Sequence, residues 1–398
     1  MTKLDRLIAE LCPGGVEYKL LGEICAVGAG GTPQRGNTDY WQNGTIKWLG
    51  STVCKNKKTV DEVTEYITEL GLINSSAKIL NVGTTLIAMV GATIGKVAFL
   101  PFEATTNQNV ATLYPLDENS LDKSYLFYVC QTLFPQFVAL SGGGKLAIAN
   151  LSFIRGLRIP VPPLPVQHEI VRILNNFTEL TAELTAELTA RKKQYEYYRD
   201  ELLTFGDDVP MVALGKITQY TKARIGADEL DADNYVGVDN LLPDKRGKTT
   251  SEYVPDTGTF TRFNKGDILI GNIRPYLKKI WLADITGGTN GDVLVIQLTS
   301  KSMFSRYLYH VLSSEAFIAY NVQYSKGAKM PRGSKDAIMR YELSLPPLEE
   351  QERITSILDR FYALTTDISN GLPAEIAARQ KQYEYYRDKL LRFEGVGV

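Results

Sequence analysis

Hydrophobic positions along this chain follow two rhythms, and the two are segregated. Between residues 166 and 205 apolar side chains recur every three or four positions, at Ile170, Ile173, Leu174, Phe177, Leu180, Leu184, Leu188, Tyr195, Tyr198, Leu202 and Phe205. That spacing predicts an amphipathic helix of about 40 residues, roughly 60 Å long at 1.5 Å per residue. A second stripe runs through Ile354, Ile357, Leu358, Phe361, Leu364 and Ile368, then Ile376, Tyr383, Tyr386, Leu390 and Phe393. Asn370-Gly371-Leu372-Pro373 interrupts it. Glycine suits a helix C-terminus and proline a first turn, so a break or kink is expected in the second helix only.

The remaining chain carries shorter patterns. Residues 3–12 predict a short helix with Leu4, Leu7, Ile8 and Leu11 on one face, stopped by Pro13-Gly14-Gly15. TIKWLG, TTLIAMV, KVAFLP and VATLYP read as strands up to about residue 155, and GDILIGNI, KKIWLAD and DVLVIQL do so between 207 and 345. Each set is followed by helical sequence, one or two helices in SLDKSYLFYVCQTLFPQFVAL and one in SRYLYHVLSSEAFIAYNVQY. No regular βαβ alternation is present, so the fold class is α+β.

The chain is one unit written twice. RKKQYEYYRDELLTF at residues 191–205 returns as RQKQYEYYRDKLLRF at 379–393, with 12 of 15 positions identical. PPLPVQHEIVRIL from Pro162 returns as PPLEEQERITSIL from Pro346, and Gly83, Leu86, Lys96, Thr106 and Asn107 return as Gly266, Leu269, Lys279, Thr289 and Asn290. The short N-terminal helix takes the place that the end of the repeated helix holds before the second unit, so the halves read as circularly related. Boundaries follow: 1–155 and 207–345 globular, 156–206 and 346–398 helical. Each long stripe must be buried, and the economical partner is its own repeat in an antiparallel coiled coil; the rival is a face for another protein.

Within the first helix lies TELTAELTAELTA, residues 178–190, which holds two intact TAEL tetrapeptides. Four residues advance a helix by about 6 Å and turn it by a net of about 40°. Adding or removing one tetrapeptide therefore changes length while keeping nearly the same face, and Leu180, Leu184 and Leu188 mark that face. The alternative is a run of good helix formers with no metrical role.

Composition narrows the function. At 398 residues with 44% apolar and 22% charged content, the chain reads as globular, long enough for two or three domains. No apolar run suits a bilayer or a signal peptide, and Cys12, Cys25, Cys54 and Cys130 form no CxxC, so a reducing cytoplasm is expected. A net charge of -1 means that any nucleic-acid surface must be local. Catalytic chemistry is not found. GATIGK has three residues between its glycines and Val97 where a phosphate loop needs Ser or Thr, and Asn272-Ile273-Arg274-Pro275-Tyr276 lacks the Asn-Pro-Pro-Tyr order of an adenine-methyltransferase loop. The two histidines, His168 and His310, both fall in helical sequence and read as structural. No catalytic or metal-ligating residue is assigned.

Together the paired PPLxxQxxI starts at Pro162 and Pro346, the paired QYEYYRD blocks at Gln194 and Gln382, Gly31-Thr32-Pro33 with Tyr40-Trp41, and Gly91 to Lys96 carry a resemblance. Over nearly its whole length the chain resembles a specificity subunit of type I restriction-modification systems, and its TAEL repeats resemble the subgroup in which such tetrapeptides space a split target. The resemblance implies two target recognition domains separated by two long helices packed as an antiparallel coiled coil, with a pseudo-twofold internal repeat. It implies a non-enzymatic cytoplasmic subunit that reads a bipartite asymmetric site in double-stranded DNA, one half-site per domain. Two methyltransferase subunits and restriction/translocase subunits would be its partners, with no membrane. S-adenosylmethionine, ATP and Mg would sit on those partners, and this chain would hold no cofactor. A stand-alone bipartite DNA-binding regulator and an enzyme with an unrecognised site are the rival readings.

DNA-contact candidates come from the globular parts. In the second, Arg274, Tyr276, Lys278 and Lys279 form a basic-aromatic turn, and Lys326, Lys329 and Arg332 a Gly-rich basic loop. In the first, Lys47, Lys96 and Lys145 are basic, with Lys55, Lys57 and Lys58 nearby in sequence, while Asn107, Gln108 and Asn109 supply amides. Cations of this kind bind phosphates, Arg reads guanine and amides read adenine. For the Thr-Asn and Gly143/Lys145 features common to both halves, turn scaffolding is the competing reading. Tyr195, Tyr198, Arg199, Tyr383, Tyr386 and Arg387 are the candidates for docking a partner subunit, packing between the helices being the alternative for the tyrosines.

Overall fold

The computed structural model describes residues 2–60, 63, 65–140, 148–366 and 371–396. They divide into two compact units, Met1–Ala182 with Ala378–Val398, and Glu183–Ala377. Each unit therefore takes the head of one long helix and the tail of the other.

In the first unit Thr2 caps the helix Lys3–Leu11, in a reciprocal capping box with Asp5. A four-stranded antiparallel sheet orders Cys25–Ala29, Val110–Pro115, Thr85–Ala88 and Val97–Phe99. Thr85–Ala88 is buried at all four positions, which is why it reads as a continuous apolar run and not an alternation. A three-stranded sheet orders Glu65–Ile67, Ile46–Leu49 and Thr105–Thr106, the last pair parallel. Tyr18–Leu20 pairs with Arg158–Pro160 to close the globular part. Lys123–Gln131 and Phe134–Ala139 are two separate helices, the first capped by Asp122.

The second unit repeats this plan. Its four-stranded sheet orders Thr218–Tyr220, Val293–Leu298, Ile268–Gly271 and Ile280–Leu282; its three-stranded sheet orders Arg224–Gly226, Thr259–Phe263 and Gly287–Thr289, here all antiparallel. Met211–Ala213 pairs with Glu342–Ser344. The stretch expected as one helix is two, Ser305–Leu312 and Glu315–Gln323, with the Ser314 hydroxyl capping the second.

The first long helix, Leu164–Leu202, spans 39 residues. Its partner is two helices, Leu348–Thr366 and Leu372–Leu390, with Pro373 in the first turn of the second piece. The interruption falls where Gly371 and Pro373 place it. The stripe has more than one destination. Val166, Ile170 and Leu174 are buried in the core of the first unit, and Ile354 and Leu358 in that of the second. Between the helices, Phe177 stacks on Tyr386 in the first unit and Tyr198 on Phe361 in the second. Each unit thus pairs the head of one long helix with the tail of the other.

The paired PPLxxQxxI starts have a structural cause. Gln167 is fully buried; its amide donates to the carbonyls of Ser120 and Pro162 (2.8 and 2.7 Å) and accepts from Asp122 N–H (2.9 Å). Gln351 donates to Ser302 and Pro346 (2.9 and 2.8 Å) and accepts from Phe304 N–H (3.0 Å). A buried amide satisfied on both ends fixes the start of each long helix against the loop before the domain's own helix.

The circular relation closes differently from the expectation. In the first unit Val16 N–H donates to Glu394 O (2.8 Å), and the Tyr18 hydroxyl donates to Phe393 O (3.0 Å). The C-terminal segment holds the place that residues 203–205 hold in the second unit, and the N-terminal helix packs beside it through Leu4, Leu7 and Ile8. Gly15, at φ 94°, sits where an added Cβ would lie 2.6 Å from Glu394 O, so only glycine permits this approach. Among the described residues no helix is long and apolar enough to cross a membrane.

Candidate functional site

The second unit brings its two basic segments together. Arg274 N–H donates to Pro331 O (2.7 Å), Gly333 N–H to Asn272 O (3.2 Å), and Lys326 and Arg332 exchange backbone hydrogen bonds of 2.9 and 2.8 Å. The Arg332 guanidinium reaches Asp292 at 2.9 Å. The turn at 272–278, the loop at 290–292 and the loop at 325–333 thus share one edge, with Arg274, Tyr276, Lys326, Lys329 and Arg332 all exposed. Lys278 and Lys279 do not join this face. The Lys278 ammonium lies 2.8 Å from both Glu315 oxygens, and the Lys279 ammonium donates to Val238 O at 2.7 Å. Both ammonium groups are engaged within the unit, unlike those of Lys326 and Lys329 among the described residues.

The first unit holds the corresponding frame with less charge. Met89 N–H donates to Asn109 O (2.9 Å) as Asn272 N–H does to Asp292 O (2.8 Å), and Val90 bridges Ile148 as Ile273 bridges Arg332. The Asn107 side chain accepts from Asn109 N–H (3.0 Å), and Asn290 accepts from Asp292 N–H (3.1 Å). Asn107 and its twin are turn braces, so the scaffolding alternative describes them. Gln108 is exposed and accepts from the Thr32 hydroxyl. Lys96 is half-buried at the end of the turn, and the Lys47 ammonium lies 4.0 Å from the Phe102 ring centre. Lys145, with Ser141 and Gly143, lies outside the described residues.

Sequence reasoning missed Arg35. Its guanidinium lies 4.0 Å from the Trp41 ring centre and 4.6 Å from that of Trp48, and Glu65 holds it with two contacts of 2.6 and 3.1 Å. The indoles were legible as motif pieces; the arginine between them had no periodic signal.

The repeated Tyr-Arg pairs of the helices face inward. Tyr195 and Arg199 are buried in the second unit. Arg199 donates to Ser313 O (3.0 Å), and Lys245, another residue the sequence did not flag, reaches the same carbonyl at 3.3 Å. Ser313 is the C-cap of Ser305–Leu312, so two cations meet the negative end of that helix. In the first unit the Tyr383 hydroxyl and Arg387 both donate to Gln131, the last residue of Lys123–Gln131 (2.8 and 3.3 Å). Tyr195, Arg199 and Tyr383 are therefore internal anchors and not partner contacts, because a buried side chain offers no surface. Leu180, Leu184 and Leu188 are half-buried, while the Thr, Ala and Glu residues at 182–183 and 185–187 are exposed.

His310 completes the anchor. Its imidazole is fully buried, with Nδ1 3.3 Å from the Tyr195 hydroxyl and Nε2 2.8 Å from Asp359, which Arg306 also contacts at 2.8 Å. A neutral ring has one donor and one acceptor, and both are used here. Burial holds its pKa below the usual 6.5, outweighing the Asp359 carboxylate that raises it. For Asp359, burial raises the pKa, but the His310 and Arg306 hydrogen bonds prevail and hold it below the ordinary range. A depressed histidine pKa means that the unfolded chain takes up the proton first. The stability that the neutral ring contributes is present above pH 6.5 and is lost as pH falls below it. The Asp359 contribution is lost separately, below its ordinary 3.8. His310→Phe, which keeps an aromatic ring in the site but removes the titrating nitrogens, is expected to flatten the decline in stability of the second unit between about pH 7 and 5. Thermal unfolding across that range checks it.

Relatives share this architecture. The type I restriction modification DNA specificity domain family matches residues 13–191 and again 203–378. The chain is 32% identical over 295 residues to the EcoR124I/EcoR124II specificity subunit of Escherichia coli, covering 70% of this chain and 72% of the relative. It is 34% identical over 298 residues to a putative type I restriction enzyme specificity subunit of Haemophilus influenzae, covering 69% and 74%. In fold it is similar to the S subunit of a type I restriction-modification system from M. genitalium, with TM-score 0.53 and 14% identity over 95% of this chain and 96% of that one. A chain from a structure of complex assembly and conformational transition of the type I R-M system gives TM-score 0.58 and 15% identity over 96% and 98%. The doubled domain and the curated relatives place this chain in the type I restriction-modification DNA specificity family, as a DNA sequence specificity subunit with two target recognition domains.

Proposed function

We propose that each unit reads one half of a split, asymmetric site in double-stranded DNA, and that the chain is the non-catalytic reader for methylation and restriction carried out by other subunits. The observation that carries this is the repeated loop frame, with Met89–Asn109 and Asn272–Asp292 backbone contacts in matching places and different side chains on each frame. Two copies of one frame bearing different side chains suit two different half-sites. In the second unit Arg274, Tyr276, Lys326, Lys329 and Arg332 would meet DNA; in the first, the turn ending at Lys96 and exposed Gln108 would. Two methyltransferase subunits would dock on the helices, restriction/translocase subunits would join outside them, and S-adenosylmethionine, ATP and Mg would belong to those partners in the cytoplasm. Tyr197 and Tyr385, matching residues that are 64% and 62% exposed, are better placed for this docking than the buried Tyr195 and Tyr383.

The test is co-expression with a cognate methyltransferase subunit and mapping of methylated adenines. Methylation at a split asymmetric motif is expected, and the double variant Tyr197→Ala/Tyr385→Ala should weaken subunit assembly without lowering the melting temperature. Methylation without a gapped motif would refute the two-half-site reading, and unchanged assembly in the double variant would refute the docking assignment.

A further inference from the structure

The turn between Ile268–Gly271 and Ile280–Leu282 has a twin in the first unit, and two of its backbone hydrogen bonds recur there at matching positions. Gly271 N–H donates to Lys279 O (2.9 Å) as Ala88 N–H does to Lys96 O (3.0 Å), and Leu277 N–H to Arg274 O (2.8 Å) as Ile94 N–H does to Gly91 O (3.1 Å). Both turns bend through two left-handed residues. In the first unit these are Gly91 and Gly95, at φ 74° and 73°; in the second they are Arg274 and Lys278, at φ 52° and 54°. Glycine adopts this conformation freely, whereas any side chain there is disfavoured by contact between Cβ and the backbone.

Lys278 has a compensating role inside the protein, through its paired contacts with Glu315. Arg274 has none. Its guanidinium is exposed and has no side-chain partner among the described residues, and its backbone is tied to the 325–333 loop through Pro331 O. Exposed Lys326 and Lys329 lie on that same loop, where Asp292 neutralises Arg332 alone. A strained residue that holds nothing within its own chain points to a ligand outside it, and the surrounding positive charge makes that ligand anionic.

We propose that Arg274 is a phosphate-anchoring residue, gripping the sugar–phosphate backbone of the half-site bound by the second unit and setting register without reading a base. This rests on the reading that the units bind DNA. The choice between phosphate and base follows from the neighbouring charge: exposed Lys326 and Lys329 beside Arg274 make a positive patch, and the sequence-independent partner of such a patch is the phosphate backbone. Because the first unit carries Gly91 at this position, the anchor is one-sided.

The experiment uses the chain in complex with its methyltransferase subunit, with Arg274→Ala and Arg274→Gly as variants. Binding to a target duplex and to a scrambled duplex is measured across a salt series. Both variants are expected to weaken both duplexes alike, by about tenfold at low salt, to reduce the salt slope by about one, and to methylate an unchanged motif. Arg274→Gly should in addition melt above the wild type, since the left-handed strain is relieved. Relaxed methylation at one base pair would make Arg274 a base reader and overturn the proposal. Unchanged affinity and slope in a folded Arg274→Gly protein would overturn it as well. A wild-type complex that shows no motif preference would instead sink the DNA-recognition reading, before any variant is compared.

Discussion

Tyr383→Ala is expected to destabilise the unit at the opposite end of the chain, by about 3–5 kcal/mol. Tyr383 lies near the C-terminus, yet it is 4% exposed within the unit formed by Met1–Ala182 and Ala378–Val398. Its hydroxyl donates to Gln131 at 2.8 Å, and its ring lies 6.5 Å from that of Tyr128. Alanine removes the ring from a packed site and leaves the Gln131 amide oxygen with Arg387 alone. Tyr195→Ala should do the same to the unit Glu183–Ala377, where it strips the ring from beside His310 and Tyr362. Hydrogen exchange read segment by segment separates the cases. Protection should fall in the strands at residues 85–115 for Tyr383→Ala, and at residues 268–298 for Tyr195→Ala. The reverse assignment, or a uniform loss in both variants, would contradict the exchange of helix ends between units.

The exchange was half-legible in the sequence. Repetition at 188 residues announced that residues 191–205 and 379–393 do the same work, and the stripe announced helices. Which helical face meets which neighbour was not announced, because periodicity gives a direction on a helix and no destination. Tyr195 and Tyr197 sit two positions apart, about 200° around the helix, and one is buried while the other is 64% exposed. The break at Gly371-Pro373 was legible because glycine and proline act locally. Gln167 and Gln351 stood out as a shared pattern, but their function as buried amide clamps depends on loops at 120–122 and 302–304 that lie far off in sequence. The meeting of the 272–278 turn with the 325–333 loop depends likewise on long-range backbone pairing. Least legible were Arg274 and Lys278, since local propensity would have put glycine at both left-handed positions.

Deleting Thr185, Ala186, Glu187 and Leu188 is expected to change the gap of the methylated motif by one or two base pairs and to leave both half-sites unaltered. The deletion removes one intact tetrapeptide from an uninterrupted helix, Leu164–Leu202. That helix shortens by about 6 Å and turns by about 40°, against about 3.4 Å and 34–36° per base pair. The half-buried stripe survives, because Thr189 and Ala190 follow Leu184 as Thr185 and Ala186 did. The anchors on either side survive too. Phe177 with Tyr386 and Tyr198 with Phe361 belong to different units and lie outside the deleted residues. Between those anchors the first helix runs 21 residues and its partner 25, and the partner carries its surplus across the interruption before Leu372. A helix pair in which one member is already interrupted has a place to absorb a change in the length of the other, so the shortened protein should fold and methylate. Methylome sequencing of cells carrying the deletion reads the outcome directly. An unchanged gap would make the tetrapeptides ordinary helix, and a change in either half-site would mean that the helix reaches into base recognition.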